Sequence, residues 1–184
     1  MRYDDTTLVE MMRSPETRNE GFSIMMRQYG RELYWMIRRV VVDHDDAEDA
    51  LQETAIKALT GIERFKGGSS LRTWLYAIAN NEALQTLRNR KRRFQSLDAM
   101  GTELAERLEA QTDLDGDRAT ELFRQALLLL PTKQRIAFNL RYYDELPYED
   151  IAKITGSNVS TLKSNYHFAA KKIEEYIQQN ASKI

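Results

Sequence analysis

The stretch LRTWLYAIANNEALQTLRNRKRR, residues 71–93, predicts the fold class and first raises the question of function. Its apolar residues recur mostly at steps of three and four, which predicts a long helix. The helix would begin with an aromatic, amphipathic part and end with five basic residues among the six from Arg88 to Arg93. Aromatic rings stack on bases and cations follow phosphates, so the stretch suits single-stranded nucleic acid. A core helix with a solvated basic tail explains the same pattern equally well.

Composition supports a helical protein and excludes several kinds of chemistry. The 184 residues include only three prolines and eight glycines, which favours an all-α fold. There is no cysteine, so disulfides, thiolate metal sites and cysteine catalysis are excluded. No apolar run approaches the roughly 20 residues needed to span a bilayer, and the first residues lack the apolar core of a signal peptide. We therefore expect a cytoplasmic protein without membrane insertion.

Charge is segregated along the chain. The formal net charge is −1, whereas a domain that holds duplex DNA unaided usually has a pI above about 9. Basic residues are concentrated at the end of the opening stretch, and acidic residues occupy separate segments. This distribution indicates local contact with nucleic acid and a second, basic partner elsewhere.

The segment DHDDAEDALQET, residues 43–54, predicts a helix with an acidic first turn. Carboxylates favour the positive end of the helix dipole, and Asp45 or Asp46 is the expected cap. A row of polar side chains on one face could dock on a basic partner helix, although a solvated face is the plainer alternative. A metal site is not expected, because His44 is the only nearby histidine and no calcium-loop spacing is present.

Residues 62–70 are predicted to form a loop before the long helix. Gly67 and Gly68 allow positive φ angles and a close approach of a ligand. The loop is not a nucleotide-binding P-loop, because no Gly-Lys-Ser/Thr follows at the required spacing. Beyond the long helix, residues 95–117 are polar and acidic and are predicted to link two domains, 1–94 and 118–184.

The last part of the chain follows a helix-turn-helix pattern. A short helix over 148–154 precedes a turn at Gly156, and Asn158 is expected to cap a helix over 159–178. The outer face of that helix carries small, polar or cationic groups that can enter a major groove. A plain helical hairpin is the alternative.

Taken together, these motifs resemble the compact extracytoplasmic-function sigma factors of bacterial RNA polymerase, over nearly the whole chain. Four motifs carry the resemblance: DAEDALQET from Asp46, FKGGSSLRTWLYAIANN from Phe65, Leu130-Pro131 with Arg135 and Leu140, and LPYEDIA from Leu146 with TLKS from Thr161. The resemblance implies two small helical domains joined by the acidic linker. Residues 1–94 would be sigma region 2, and residues 118–184 would be the region 4 helix-turn-helix domain.

The resemblance also implies a function. The protein would bind core RNA polymerase and direct promoter recognition, DNA melting and transcription initiation, without catalytic residues, metal or cofactor. Its partners would be the polymerase, promoter DNA as duplex and as melted non-template strand, and an anti-sigma factor. The acidic helix would dock on the basic coiled coil of the largest polymerase subunit, and the loop from Phe65 to Leu71 would receive a base flipped from the non-template strand.

The resemblance assigns residues to three interfaces. Contacts to core polymerase are expected from Asp45, Asp46, Asp49, Gln52 and Glu53. Contacts to the melted minus-ten strand are expected from Phe65, Lys66, Ser69, Ser70, Arg72, Trp74, Tyr76, Asn80, Asn81, Arg88, Arg90, Lys91 and Arg92. Trp74 also lies on the apolar stripe and fits the core. Contacts to the minus-thirty-five duplex are expected from Ser160, Thr161, Lys163, Ser164 and His167.

Three rival functions remain at this point. A self-sufficient helix-turn-helix regulator would bind duplex DNA alone, usually as a dimer. The near-neutral charge and the aromatic, basic stretch argue against it. A helical enzyme has little support, because two distant histidines and no nucleotide or metal motif offer no catalytic constellation. A pure protein-interaction module leaves the polar face of the last helix unexplained.

Overall fold

The computed structural model describes residues 3–95 and 118–181. Eight α-helices account for most of these residues: α1 Asp5–Arg13, α2 Arg18–Val41, α3 His44–Gly61, α4 Leu71–Gln95, α5 Arg118–Leu129, α6 Thr132–Tyr142, α7 Tyr148–Thr155 and α8 Val159–Ala181. A short 3-10 turn, Ile62–Arg64, occupies part of the predicted loop. No strand occurs in the two described ranges, so the all-α prediction is confirmed. Over these same ranges, no helix has the length and apolarity that crossing a membrane requires.

The helices form two compact units, as predicted. The first contains α1–α3 and most of α4, and the second is built mainly from α5–α8. The predicted linker lies, apart from Gln95, outside the described residues. The domain boundaries at residues 94 and 118 therefore stay predictions.

The first unit is closed by apolar side chains from all four of its helices. Met12 of α1, Met25 and Leu33 of α2 and Leu75 of α4 are almost wholly buried. Helix α3 contributes small residues, Ala47, Ala50 and Ala58, which let it pack closely while its other face remains in solvent.

The turn between α2 and α3 corrects one prediction. Val42 has a φ of 74°, and this left-handed residue reverses the chain before α3 begins at His44. Asp43 is therefore the cap in place of Asp45 or Asp46, and its carboxylate accepts the backbone N–H of Asp46 at 2.9 Å. An acidic cap with further carboxylates in the first turn stabilises the start of α3.

Helix α4 has a buried first half, which belongs to the core, and a basic end in solvent. Leu71, Leu75 and Ala79 in its first half are fully buried. Even the polar Glu82 is only 8% exposed, and it is paired with Lys57 of α3 at 2.6 Å. The cationic end of the helix, in contrast, lies largely in solvent.

The second unit is held by a smaller apolar cluster. Its buried members are Ala126, Leu127, Leu130, Phe138, Ala169 and Ile173. The ring of Phe138 stacks on that of Tyr166, with centroids 5.3 Å apart. This packing places α8 against α5 and α6 and leaves its opposite face exposed.

Candidate protein- and DNA-binding surfaces

The acidic face of α3 is an exposed row of acceptors, Asp45, Asp49, Gln52 and Glu53. Asp46, the remaining member of the predicted set, is half-buried at the first turn. Among the described residues, no ion pair engages Asp49 or Glu53. Because these carboxylates are unpaired on one face, they are available to a basic partner.

An apolar groove lies beside the acidic face, between α2 and α3. It has a volume of about 550 Å³ and is lined by Phe22, Met26, Tyr34, Glu48, Leu51, Gln52, Ala55, Ile56 and Leu59. Ile56 is 48% exposed on its rim. Gln52 belongs to both the groove and the acidic face, so the two form one continuous surface. The sequence prediction missed this groove, because its lining comes from two helices and the periodicity of one helix does not show which residues of another lie beside it.

The loop over residues 65–70, called here the 65–70 loop, has a buried start and an exposed tip. Phe65 is 8% exposed, and its ring centroid lies 5.2 Å from that of Trp74. Lys66, Gly67 and Gly68 are exposed, and Gly67 has a φ of 73°. A positive φ favours glycine at that position. The tip therefore exposes its backbone and the Lys66 side chain to solvent, and the rings of Phe65 and Trp74 lie beside the start of the loop.

The end of the 65–70 loop is capped locally. The Ser70 hydroxyl oxygen accepts the backbone N–H of Thr73 at 3.1 Å, as an N-cap does. Ser69 is half-buried, and Ser70 is exposed. Both predicted serines therefore lie where the loop meets the first turn of α4.

Helix α1 contacts both ends of the same loop. Asp5 accepts the backbone N–H of Leu71 at 2.9 Å, and Arg13 donates to the carbonyl oxygen of Phe65. Sequence reasoning assigned no role to α1. The contacting residues are separated by 66 and 52 positions along the chain, so no short-range pattern could have revealed them.

Several residues predicted to hold the melted strand are instead inside the domain. Tyr76 is fully buried and Asn80 is 2% exposed, so neither presents a surface to DNA in this structure. The physical reason is that α4 is covered by neighbouring helices on more than its apolar stripe. Trp74 is half-buried against Phe65 and Gly61, in keeping with its alternative assignment to the core.

Arg72 is half-buried and already occupied. Its guanidinium donates to Glu32 at 2.9 Å and lies 5.0 Å from the centroid of the Tyr76 ring. Burial alone would lower the pKa of Arg72, but the charges and hydrogen bonds of Tyr76 and Glu32 raise it overall. Arg72 thus links α2 to α4 and remains a cation.

The exposed residues of α4 lie farther along the helix. Asn81 is exposed, and so are Arg88, Lys91 and Arg92, while Arg90 is half-buried. Arg88 donates to Gln85 at 2.8 Å. At a rise of about 1.5 Å per residue, Arg92 lies roughly 30 Å along the helix axis from Leu71. The loop and the basic end therefore lie at opposite ends of α4.

The helix-turn-helix of the second unit is formed as predicted. Gly156 has a φ of 69°, and the side chain of Asn158 accepts the backbone N–H of Thr161 at 2.8 Å, which confirms the predicted cap. Leu162, Ala169 and Ile173 are buried. The predicted outer set is exposed in full: Ser160, Thr161, Lys163, Ser164 and His167. Phe168, which the prediction left out, is 52% exposed beside them.

Two family models match the chain in the order that the surfaces occur. The model for Sigma-70 region 2 matches residues 25–93. The model for Sigma-70, region 4, matches residues 120–173. The acidic face and the α4 surface fall in the first match, and the exposed outer face of α8, which runs from Ser160 to Phe168, falls in the second.

Similar proteins cover almost the whole chain. The RNA polymerase sigma-H factor of Pseudomonas aeruginosa is 32% identical over 183 residues, which are 95% of this chain and 94% of that protein. The ECF RNA polymerase sigma-E factor of Haemophilus influenzae is 30% identical over 183 residues, 95% of each chain. Among solved structures, the sigma factor RpoE in complex with the anti-sigma factor NepR from Bartonella quintana matches with a TM-score of 0.69 and 28% identity. That match covers 85% of this chain and 96% of that chain.

Proposed function

Because the chain belongs to the extracytoplasmic-function family of RNA polymerase sigma factors, we propose roles for its three exposed surfaces. The protein binds core RNA polymerase and directs promoter recognition, DNA melting and transcription initiation. One observation supports the residue-level proposal: the exposed face opposite the buried core is acidic in α3, and it is small, polar and cationic in α8.

The acidic face of α3 docks on a basic surface of core polymerase. Asp49, Gln52 and Glu53 form its centre, with Asp45 and Asp46 at the helix start. The adjoining apolar groove, which includes Leu51 and Ile56, would add desolvated contact area to the charge pairing. Charge complementarity then sets specificity and association rate, while apolar burial slows dissociation.

Charge reversal tests this docking. Replacing Asp49→Lys together with Glu53→Lys should weaken binding to core polymerase on the order of tenfold or more, because attraction becomes repulsion. The matched control is Glu10→Lys with Glu20→Lys, which changes net charge equally at exposed positions outside α3. Equal affinity of both double variants for core enzyme in a pull-down would remove the assignment.

The 65–70 loop and α4 hold the melted non-template strand. Lys66, Ser69 and Ser70 surround the exposed glycine tip and receive a flipped base, on a support formed by Phe65 and Trp74. Flipping costs a few kcal/mol, which these contacts must offset. The phosphates are bound by Asn81 and by the basic end, which comprises Arg88, Arg90, Lys91 and Arg92. Arg72 acts here as a support, whereas the buried Tyr76 and Asn80 are left out of the contact set.

The outer face of α8 reads the upstream duplex. Ser160 and Thr161 lie at the N-terminal end of α8, where recognition helices contact base edges. Lys163, Ser164 and His167 continue the same exposed face towards the phosphates. We assign residues 1–94 to the polymerase and minus-ten domain, 95–117 to the linker, and 118–184 to the minus-thirty-five domain.

Regulation and location follow from the same assignment. The relative solved with an anti-sigma factor supports an anti-sigma partner for this chain as well. We assign it no catalytic residue and no enzymatic activity, because a sigma factor acts through binding. Its place of action is the cytoplasm, where core polymerase transcribes DNA.

The most direct test is run-off transcription with core polymerase and a promoter library. The expected result is initiation from a defined set of promoters, dependent on this chain. A mobility-shift assay without polymerase serves as the counterpart. Tight sequence-specific binding to duplex DNA by the chain alone, with no promoter-specific transcripts from the polymerase, would favour a self-sufficient regulator instead.

A further inference from the structure

We propose that Asp5 and Arg13, the first and last residues of α1, are positioning residues that hold the 65–70 loop in the shape that receives the melted strand. The proposal rests on the assignment of that loop to the minus-ten strand. Residues 25–93 match the region 2 family model, so α1 lies outside the match.

Asp5 holds the end of the loop. One carboxylate oxygen accepts the backbone N–H of Leu71 at 2.9 Å, and the other accepts the hydroxyl of Tyr29 at 2.5 Å. Leu71 is the first residue of α4, where backbone N–H groups have no partner within the helix. A carboxylate there is also favoured by the helix dipole. Asp5 thus joins α1, α2 and the start of α4.

Arg13 holds the beginning of the loop. Its guanidinium donates to the carbonyl oxygen of Phe65 and lies 3.4 Å from the carbonyl oxygen of Ile62. Arginine presents several donors in a rigid planar arrangement, so one side chain can bind two backbone carbonyls at once. The two carbonyls belong to the first residue of the 3-10 turn and to the residue that follows it, so Arg13 spans the turn that leads into the loop.

The two contacts are made from opposite ends of α1. Asp5 and Arg13 are eight residues apart, which corresponds to about 12 Å along a helix. Buried Leu8 and Met12 anchor α1 in the core between them. The helix therefore acts as a rigid spacer with one charged side chain at each end of the loop.

The tip of the loop has no such support of its own. Gly67 and Gly68 are exposed, and a Cβ added to either would meet no atom within 4 Å. Two adjacent glycines in open space have many accessible conformations. Fixing the two ends reduces the entropy that must be lost when a base binds, and a preorganised site binds more tightly.

The test measures binding of the holoenzyme to a single-stranded oligonucleotide that carries the non-template minus-ten sequence selected in the promoter library. Asp5→Asn and Arg13→Gln should each lower this affinity roughly tenfold, because a charged hydrogen bond at a loop end is weakened or removed. Affinity for core polymerase should change less than about twofold. The matched controls are Glu10→Gln, on the exposed face of α1, and Arg18→Gln, whose side chain contacts Met12 and Glu63 without touching the loop.

Two outcomes would overturn the proposal. If strand affinity, core affinity and melting temperature fall together in Asp5→Asn and Arg13→Gln, α1 only stabilises the fold. If strand affinity equals that of the control variants, the contacts are dispensable. Arg13→Lys keeps the charge but replaces the planar fork by a point charge, so an intermediate loss of strand affinity is expected even if a more drastic variant does not fold.

A further variant separates this proposal from the function on which it rests. Lys66→Ala combined with Ser69→Ala alters the loop surface itself. If this variant binds the oligonucleotide as the wild type does, the loop assignment fails and takes the α1 proposal with it. If it loses affinity while Asp5→Asn and Arg13→Gln do not, only the α1 proposal fails.

Discussion

Two turns lead into the two helices assigned to DNA, and they are stabilised in different ways. The turn before α8 is self-contained: Gly156 adopts the left-handed conformation, and Asn158 caps the helix three residues from its partner Thr161. The 65–70 loop before α4 depends on residues far away in sequence, since Asp5 and Leu71 are 66 positions apart. A helix that binds in a groove of duplex DNA needs a rigid shape, which short-range contacts can provide. A loop that accepts a flipped base needs an exposed tip with room for the base. Its conformation must therefore be fixed by contacts between its two ends and other elements of the domain.

The largest difference in stability between the two turns is expected when their glycines with positive φ are replaced. Gly156→Ala should destabilise the helix-turn-helix domain by about 1–2 kcal/mol, because an L-residue is strained in the left-handed region. Gly67→Ala imposes the same strain in an exposed loop whose backbone can shift, so the free energy of unfolding should change by less than about 0.5 kcal/mol. Affinity for the single strand should fall instead.

Urea denaturation and oligonucleotide binding distinguish these effects. An added Cβ would meet no atom within 4 Å at either glycine, so steric clashes do not contribute to the difference in stability between the two variants. Asparagine tolerates the left-handed region better than alanine, and Gly156→Asn and Gly67→Asn are the milder controls. Equal losses of stability at the two positions would contradict the distinction between a rigid turn and an adaptable loop.

A smaller difference in stability is expected when the caps of α8 and α4 are removed. Asn158→Ala should cost about 1 kcal/mol, because it removes the side-chain acceptor at the start of α8. Ser70→Ala should cost only about 0.5 kcal/mol, since the Asp5 carboxylate remains at the first N–H of α4. Thermal and urea unfolding of the two variants measure both values. If Asp5→Asn is introduced as well, Ser70→Ala should become as costly as Asn158→Ala.

The smallest expected effect is a pH dependence of the cap of α1, the helix that holds the 65–70 loop, which the cap of α8 should not share. Hydrogen bonds from the side chain and backbone of Thr7 lower the pKa of Asp4, the N-cap of α1. The ionised carboxylate therefore stabilises α1 above its ordinary pKa near 3.8, and this contribution disappears as pH falls through the lowered value. The Asn158 cap of α8 does not titrate.

Amide hydrogen exchange at Thr7 and Thr161 provides the comparison. Protection at Thr7, corrected for the intrinsic exchange rate, should fall on acidification towards pH 3, and protection at Thr161 should follow only the global stability. Asp4→Asn supplies a cap that cannot be protonated and should abolish the difference. Identical pH profiles for the two amides in the wild type would show that the α1 cap does not contribute.

The two DNA-facing elements also differ in how far sequence could predict them. The Asn158 cap and the exposed face of α8 were predictable because their signals lie within a few residues. In α4, Tyr76 and Asn80 seemed available to DNA, but several helices cover this segment, and periodicity along one helix does not record that. The Asp43 cap was missed because it depends on the left-handed Val42. The contacts of Asp5 with Leu71 and of Arg13 with Phe65 could not be predicted, since they join residues 66 and 52 positions apart.

The central claim, that the 65–70 loop and α4 capture the melted promoter strand, is tested most directly through the basic end of α4. Lys91 and Arg92 are exposed, and their joint replacement by alanine removes two phosphate-binding charges without touching the core. Open complexes of the holoenzyme should then show weaker permanganate reactivity at promoter thymines. The slope of log affinity for the single strand against log salt should flatten by roughly 0.7 for each phosphate that is no longer neutralised. Footprints and salt slopes equal to those of the wild type would contradict the claim and leave the basic end as a solvated helix terminus.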